Sequence, residues 1–523
     1  TENAAGYMAD GFARASGKHG FCMAQSIGAA NLAGGIYDAR LANSPVVAVT
    51  GKKPPFMQHR GAYQEAEHRL LYEGITKFNA EIWDPKQVPN ILHQLFHTSL
   101  ADKPGPVHVD LPNNLGVDTE FWEIDEAGLP EMQTVQLPTH RPSATPEMVQ
   151  KALEALNSAE RPLIIAGRGA VYSGATSALY RFATQFDIPI ATTPDGKTII
   201  DETNPLWAGV VGAYGNASAN RVFCEADLVL FVGTQANDQT TNNWTMPNST
   251  AQVIQVDIDA TEAGRNYPKA IKLIGDAQKV VEQLIEAGGE KTRKNWRNAV
   301  IKYLEDEAAD IKKSVFNKCE KISPYRLCHE LGYILPDDAV VVADTGNSAI
   351  WTSALLKMKH TQRYYRAAGS LGWSLPASLG VKCALPEKPV FCFLGDGAFY
   401  YHMSELETAV RYGLNTITII NNNQGFVQVR ELLDVVYRDE DPAQKEKAYR
   451  FGNNDLSKIA RELGCFGIRV EKIEELPKAI DNAINSNKPA VIEVLTTDDY
   501  TPNPMPNGPR PLYGAAAAFI DKA

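Results

Sequence analysis

Cysteine is scarce in this 523-residue chain, which has seven, an odd number that cannot pair completely. The cysteines are widely spaced and form no Cys-x-x-Cys motif, which argues against a disulfide framework and against a zinc site. Most of them lie in apolar runs, such as Cys392 between two phenylalanines. We therefore expect buried thiols and a reducing, cytoplasmic environment.

Long apolar runs and blocks of like charge are also missing. No stretch of 18 apolar residues and no signal peptide is present, so nothing predicts a membrane span. The 62 acidic and 51 basic residues give a net charge of −11. Such a surface offers no electrostatic attraction to nucleic acid or to an anionic membrane, so we expect neither partner.

What the chain does have is enough apolar sequence for about three domains. Short, continuous apolar runs alternate with helical patterns, as is typical of parallel sheets covered on both faces. The runs that predict strands are 45–50, 163–166, 228–232, 253–256, 340–343, 390–394, 416–420 and 490–494. The predicted fold class is α/β, with consecutive doubly wound parallel-sheet domains.

Two helix starts mark the domain boundaries. Thr145 and Pro146 have the types preferred at an N-cap and at the first helical position, and Ser323 with Pro324 repeats the pattern. A proline-rich, acidic stretch precedes the first of these starts. We predict domains at 1–115, 145–312 and 320–523, with a linker at 116–144.

The strongest chemical signal is a Gly-Asp-Gly sequence at 395–397, which ends an apolar strand. A predicted helix at 404–412 and a second apolar strand follow, and that strand ends in the asparagines 421–423. The carboxyl ends of parallel strands share one edge, where ligands bind. Asp396 and Asn423 are 423 − 396 = 27 residues apart, a suitable length for one βαβ crossover.

Carboxylate and amide oxygens at such an edge suit Mg²⁺, which usually completes its coordination with phosphates. The backbone N–H groups of Gly397 and Ala398 could then approach a diphosphate at the helix N-terminus. Gly-Asp-Gly alone is equally compatible with a tight turn in which Asp396 caps a helix. The asparagines at this spacing favour the metal site.

Residues 395–397 together with 422–425 (Asn-Asn-Gln-Gly) resemble the thiamine-diphosphate (ThDP) binding motif of the pyruvate decarboxylase and acetolactate synthase superfamily. The resemblance implies three domains, which are pyrimidine-binding, central and diphosphate-binding. It also implies that Asp396, Asn423 and the carbonyl of Gly425 ligate Mg²⁺. The superfamily's first domain starts with a further strand–helix–strand unit, so we expect the chain to lack its natural beginning.

Other segments carry the same resemblance. The helix that opens with Glu2 looks like the one bearing the family's glutamate, which favours the reactive tautomer of the cofactor pyrimidine. Leu371 lies where a bulky apolar side chain bends the cofactor into a V. Alternatives are an ordinary first-turn acid for Glu2 and ordinary core for Leu371. The cofactor-binding residues implied are Gly28, Asn31, Gly346, Asn347, Ser348, Gly369, Leu371, Gly395, Gly397, Ala398, Gly425 and Phe426.

Two parts of the substrate side are less regular. Residues 25–31 match a loop that usually reads Gly-Pro-Gly-x-x-Asn, but Ser26 and Ile27 depart from it. Gln64 follows a tyrosine and precedes a glutamate, resembling the Phe-Gln-Glu whose glutamine approaches the thiazolium in acetolactate synthases. A polar surface loop is the alternative for Gln64.

Histidines supply the remaining catalytic candidates. His402 could relay protons, as could His59 or His68, although a single histidine is more often structural. The chain has no adjacent His-His pair of the kind that decarboxylases of this superfamily often use. That absence favours a carboligase or lyase.

The central stretch resembles the domain that binds FAD in acetolactate synthases. Those enzymes continue with an arginine-bearing segment that touches the flavin, and residues 234–240 here contain no arginine. We therefore predict that FAD is absent or weakly bound.

The resemblance implies a carboligase or lyase acting on a 2-oxo acid such as pyruvate, or on an aldehyde, through a C2 ylide and an enamine. It also implies a homodimer or homotetramer with active sites between subunits. The substrate-shaping tryptophan of acetolactate synthases is missing after Gly425, so a non-ligating decarboxylase or C–C hydrolase stays an alternative. So does a catalytically silent scaffold. A nicotinamide dehydrogenase is disfavoured because no clean Gly-x-Gly-x-x-Gly follows a first strand.

Overall fold

The computed structural model describes residues 1–112, 137–317 and 319–505. Their strands form three sheets, of four, six and six strands, and every strand pair is parallel. The predicted α/β fold with three doubly wound domains is therefore confirmed. Much of the predicted linker at 116–144, and the end of the third domain, lie outside the described residues. Within the described ranges, no helix combines the length and apolarity that crossing a bilayer requires.

The first sheet has the strand order β1-β2-β4-β3. Its opening helix ends at Gly17, which adopts φ 68° and donates its N–H to the carbonyl of Ala13, a common glycine C-cap. The elements of this domain are α1 (Glu2–Ser16), β1 (Gly20–Gln25), α2 (Ser26–Leu41), β2 (Val46–Lys52), α3 (His68–Glu73), β3 (Asn79–Glu81), α4 (Val88–Leu100) and β4 (Val107–Pro112).

The central sheet has the order β10-β9-β8-β5-β6-β7. Its first helix begins as predicted, with Thr145 as N-cap and Pro146 in the first turn. The elements are α5 (Pro146–Ser158), β5 (Pro162–Ala166), α6 (Arg168–Tyr172), α7 (Thr176–Phe186), β6 (Ile190–Thr192), β7 (Trp207–Val210), α8 (Ala217–Glu225), β8 (Leu228–Val232), α9 (Asp238–Thr241), β9 (Gln252–Asp257), β10 (Ile271–Ile274), α10 (Ala277–Glu286) and α11 (Lys294–Val315).

The third sheet has the order β12-β11-β13-β14-β16-β15, so the chain reverses its direction of winding between β11 and β13. Ligands bind at such switch points because the loops separate there. The elements are α12 (Pro324–Ile334), β11 (Val340–Ala343), α13 (Asn347–Leu355), β12 (Arg363–Arg366), α14 (Ser374–Ala384), β13 (Val390–Gly395), α15 (Asp396–His402), α16 (Glu405–Tyr412), β14 (Ile417–Asn422), α17 (Val427–Val436), α18 (Pro442–Tyr449), α19 (Leu456–Glu462), β15 (Phe466–Val470), α20 (Leu476–Asn485) and β16 (Ala490–Leu495).

The first and third domains meet where α1 crosses α14, and the crossing is very close. A Cβ atom on Gly380 would lie 1.9 Å from the carbonyl oxygen of Met8, and one on Gly11 would lie 2.2 Å from that of Ala377. Only glycine permits this approach of the two backbones. The crossing positions the helix that carries Glu2 against the third domain.

Replacing Gly380 with alanine is expected to lower the free energy of unfolding by about 3 kcal/mol, because the new methyl group must push the helices apart. Urea denaturation would measure the loss. Gly74→Ala is the matched control, since a Cβ there meets no atom within 4 Å. Equal midpoints for the two variants would contradict the close crossing.

Candidate active site

Asp396 opens α15 at the carboxyl end of β13 and is buried. Its carboxylate oxygens accept the backbone N–H groups of Gly397 and Gly425, each at 2.8 Å. Burial raises the pKa of this carboxyl group to about 7, although the amide donors oppose the rise. The predicted helix at 404–412 corresponds to α16, but the chain is already helical from Asp396. The predicted bounds therefore begin too late, although the N–H groups of Gly397 and Ala398 were expected at a helix N-terminus.

Asn423 follows β14, the neighbour of β13, and Gly395 pairs with Asn421 across the two strands. Within the described residues, the Oδ1 atom of Asn423 is buried and accepts no hydrogen bond. Its backbone carbonyl accepts from the guanidinium of Arg450 at 3.0 Å. A buried oxygen without a donor costs about 1–3 kcal/mol, which a bound cation would remove. This oxygen and the carboxylate of Asp396 fit the hard-oxygen preference of Mg²⁺.

Close packing requires glycine at two positions of this turn. A Cβ atom on Gly397 would lie 2.3 Å from Cε1 of Phe426, and one on Gly425 would lie 2.5 Å from the carbonyl oxygen of Tyr449. Phe426 donates its N–H to that same carbonyl at 2.9 Å. The ring of Phe426 thus covers the first turn of α15, next to the buried Ala398.

The turn before α13 lies beside this one, because β11 and β13 are adjacent. Gly346 has φ 65°, a left-handed value that favours glycine. In the part of the chain that the structure describes, Oδ1 of the neighbouring Asn347 is a second buried oxygen without a hydrogen bond. Ser348 is buried, and its Oγ lies 3.8 Å from where a Cβ of Gly395 would be. The two turns therefore converge at the switch point of the sheet.

The loop that carries Leu371 is held from several directions. Asp344, at the end of β11, accepts the N–H groups of Gly372 and Ser374, both at 2.9 Å. Burial raises the pKa of Asp344 to about 6. His402 donates its Nδ1–H to the carbonyl of Gly372 at 3.0 Å. Leu371 itself is half-buried and packs against the apolar cluster under α15.

Asp38, on α2 of the first domain, clamps the same loop from the other side. Its Oδ1 accepts the N–H groups of Gly369 and Ser370 at 3.0 and 2.9 Å, and its Oδ2 accepts that of Ala368 at 3.2 Å. The aspartate is buried. Hydrogen bonds to a buried carboxylate are strong, so Asp38 determines where this loop lies relative to the first domain.

A buried guanidinium completes the connection. Arg14 pairs with Asp10, donates to the carbonyl of Arg366 at 2.6 Å and lies 3.4 Å from Asp38. The Cζ atom of Arg14 lies 4.4 Å from the ring centroid of Trp373. The indole N–H of Trp373 donates to Asp10 at 2.8 Å. Sequence reasoning did not single out these residues. The spacing of Asp10 and Arg14, one helical turn apart on α1, was the signal that could have found the pair.

Glu2 lies in the first turn of α1, against the start of α2. Its Oε2 accepts from the side-chain amide of Asn31 at 3.4 Å. A Cβ on Gly28 would lie 2.7 Å from its Oε1, so a larger residue at 28 would displace the carboxylate. The structure thus brings Glu2, Gly28 and Asn31 together.

The two remaining catalytic candidates lie in different surroundings. His402 is buried between the domains, with its ring edge-on to Tyr7 at 5.6 Å, and burial lowers its pKa. Gln64 is exposed in the loop between β2 and α3, with φ 61°. In the described parts of the chain, Gln64 makes no hydrogen bond to Asp396 or to Asn423. The catalytic roles of both residues stay predictions.

Three family models match the chain. They are the N-terminal TPP binding domain of thiamine pyrophosphate enzymes at residues 1–70, the central domain at 149–284 and the C-terminal TPP binding domain at 344–494. The chain belongs to the thiamine pyrophosphate enzyme family. Thiamine pyrophosphate is another name for ThDP, so the predicted cofactor dependence is supported, and the chain is an enzyme of the ThDP-dependent transferase type.

Acetolactate synthases are among the curated proteins to which the chain is similar. The chain is 31% identical to a probable acetolactate synthase large subunit of Methanocaldococcus jannaschii, over 94% of this chain and 84% of the relative. It is 30% identical to an acetolactate synthase of Arthrospira platensis, over 96% of this chain and 87% of the relative. The acetolactate synthase large subunit of Corynebacterium glutamicum is 29% identical, over 96% of this chain and 81% of the relative. These matches confirm the predicted resemblance to acetolactate synthases.

A cavity of about 360 Å³ lies at the carboxyl ends of β5, β8 and β9 and is lined by residues of the first, central and third domains, such as Leu41, Arg168 and Ala368. Segment 234–240, which has no arginine, lies along it. The charged side chains that line it are Asp102, Asp195, Asp238, Asp257, Asp276, Lys103, Arg168 and Arg366. Asp195 pairs with both Arg168 and Arg366, so these three groups together keep a net positive charge, and Lys103 pairs with Glu262. The prediction that FAD is absent or weakly bound rests on the missing arginine at 234–240 and stays a prediction.

Asp38→Asn is expected to lower the free energy of unfolding by about 2–3 kcal/mol, because charge-assisted hydrogen bonds to three amides are weakened. Hydrogen–deuterium exchange should rise at 368–370 and change little in the central domain. Asp310→Asn, which alters an exposed ion pair with Lys313, serves as the control. Unchanged exchange at 368–370 would contradict the clamp.

Proposed function

We propose that this chain is a ThDP- and Mg²⁺-dependent carboligase acting on a 2-oxo acid such as pyruvate. The observation that carries the proposal is the Oδ1 atom of Asn423, which is buried and accepts no hydrogen bond within the described residues. It lies at the end of the strand next to β13, and the buried carboxylate of Asp396 directly follows β13. The acetolactate synthases among the relatives support the reaction type. The missing His-His pair also favours ligation over simple decarboxylation.

When bound, ThDP supplies a carbon nucleophile that adds to the carbonyl carbon of the substrate. Asp396, Asn423 and the carbonyl of Gly425 would hold Mg²⁺, which neutralises the diphosphate. The first turns of α13 and α15 would supply the N–H groups that face the phosphate oxygens.

Glu2 and Leu371 have separate tasks in this proposal. The carboxylate of Glu2 would hold a proton at the pyrimidine nitrogen, and its position against Gly28 keeps it oriented. Leu371 would support the bend between the two cofactor rings. Hydrogen bonds from Gly369 to Asp38 and from Gly372 to Asp344 hold the loop in place on both sides of Leu371. Apolar walls around the site would favour loss of a carboxylate charge.

We also propose that the active unit is a homodimer or a homotetramer, with each site between two copies. Exposed apolar side chains on the first domain support such an interface: Met23, Ile27, Tyr63 and Leu70 are each more than half exposed. A cytoplasmic location is supported by the cysteines, all of which are free thiols.

Proton NMR of the protein with pyruvate, ThDP and Mg²⁺ tests the reaction, with and without a second aldehyde or 2-oxo acid. Acetolactate or another acyloin is the expected product, and chelating Mg²⁺ should stop its formation. Acetaldehyde as the sole product would replace the proposal with a decarboxylase. No turnover with ThDP bound would exclude pyruvate as donor.

Glu2→Gln is expected to lower turnover by about 100-fold or more while leaving the urea midpoint unchanged, because an amide cannot support the charged pyrimidine. Glu73→Gln, an exposed change at the end of α3, is the matched control. Turnover of Glu2→Gln near that of the control would refute the role.

A further inference from the structure

Helix α3 braces the first turn of α2 with two side chains that lie one helical turn apart. The Nε2 atom of His68 lies 2.9 Å from the carbonyl oxygen of Ser26. The hydroxyl of Tyr72 donates to the carbonyl of Ala29 at 2.7 Å. Between these two points lies Gly28, where an added Cβ would lie 2.7 Å from Oε1 of Glu2, so this turn packs next to that carboxylate. The brace therefore acts on the segment that positions Glu2.

The surroundings of His68 determine its protonation. Its Nδ1 lies 3.1 Å from Oδ1 of Asp110, and its Nε2 faces a carbonyl oxygen, so both ring nitrogens point at acceptors. A neutral imidazole has one N–H and would leave one of these contacts repulsive. Asp110 also accepts the hydroxyl of Thr50 at 2.7 Å, while its Oδ2 has no donor within the described residues. An imidazolium satisfies both contacts and balances the buried carboxylate.

We propose that His68 is a cationic positioning residue, an imidazolium held between Asp110 and the Ser26 carbonyl that fixes the turn at 26–28 against Glu2. Its effect on catalysis rests on the function proposed above for Glu2. Ser26 is buried with φ 53°, a left-handed conformation that serine rarely adopts. A contact to its carbonyl is what holds such a turn in place.

The other charged groups near His68 agree with this assignment. Burial alone would lower the pKa of His68, but the hydrogen bond and charge of Asp110 raise it above the ordinary value of 6.5. Lys52, which opposes the rise, is paired with Glu81 and Glu67. For His108, on the strand of Asp110, burial lowers the pKa to about 4. Because the pKa of His68 is raised, His68 keeps both contacts, to Asp110 and to the Ser26 carbonyl, at low pH. It loses its charge, and with it one of these hydrogen bonds, as pH rises through the raised pKa.

Nitrogen NMR of histidine-labelled protein without ThDP tests the charge directly. The signals of His68 are identified as those lost in His68→Gln. We expect both ring nitrogens to carry protons at pH 6 and to titrate together above pH 6.5. A ring with a single proton at pH 6 would mean a neutral pair, with the shared proton on Asp110, and would overturn the proposal.

The positioning role is tested by comparing His68→Gln with His93→Gln, an exposed histidine of the same domain. Only the first should raise hydrogen exchange at residues 27–30, by about tenfold, and lower kcat about tenfold with little change in KM. We expect the kcat of the parent to fall as pH rises through the raised pKa of His68, and His68→Gln to lack that fall. Faster exchange with unchanged kcat would overturn the role in catalysis.

These measurements separate the two proposals. The NMR and exchange readouts are made without cofactor, so they stand even if Glu2→Gln keeps full activity. Thermal unfolding of His68→Gln shows whether the variant folds, and the NMR titration of the parent protein does not depend on that outcome.

Discussion

The guanidinium of Arg14 is the buried charge on which the arrangement of the first and third domains depends. Removing one partner from a buried ion pair costs about 3–5 kcal/mol, because the other charge is then buried without compensation. The fold therefore depends on each group that pairs with Arg14. Asp10 and the Arg366 carbonyl accept its N–H groups, Asp38 lies beside it, and Trp373 covers its plane. Because the acceptors come from both domains, the network couples the helix of Glu2 to the loop of Leu371.

The satisfied and unsatisfied polar groups of the third domain are distributed unevenly. Asp344 accepts three hydrogen bonds and holds the loop of Leu371. By contrast, the Oδ1 atoms of Asn347, Asn421 and Asn423 are buried without partners in the part of the chain that the structure describes. Buried polar groups without partners are rare in folded proteins. Asn421 and Asn423 lie at the end of β14 and Asn347 begins α13 after β11, so they flank the end of β13. That pattern is typical of a site completed by a ligand.

The strands that sequence analysis predicted are continuously apolar, and all eight are present. Two of the strands it missed, β3 (Asn79–Glu81) and β12 (Arg363–Arg366), are short and largely polar, and three or four mixed residues carry no clear periodicity. The predicted helix bounds 404–412 leave out the helical turn at Asp396 for another reason. Two glycines flank this aspartate and disfavour a helix, but the ring of Phe426 packs on Gly397 and stabilises the turn.

The sequence by itself determined the fold class, the family and the residues at the strand ends, since motif spacing and apolar periodicity are local properties of the chain. The tertiary structure decided which side chains hold those residues in place. The Asp38 clamp joins residues 331 positions apart at Gly369, and the brace from His68 crosses 42 positions to Ser26. Neither contact follows from local spacing, because only the packing of α2 against the loop before α14, and of α3 against α2, brings these groups within hydrogen-bonding distance.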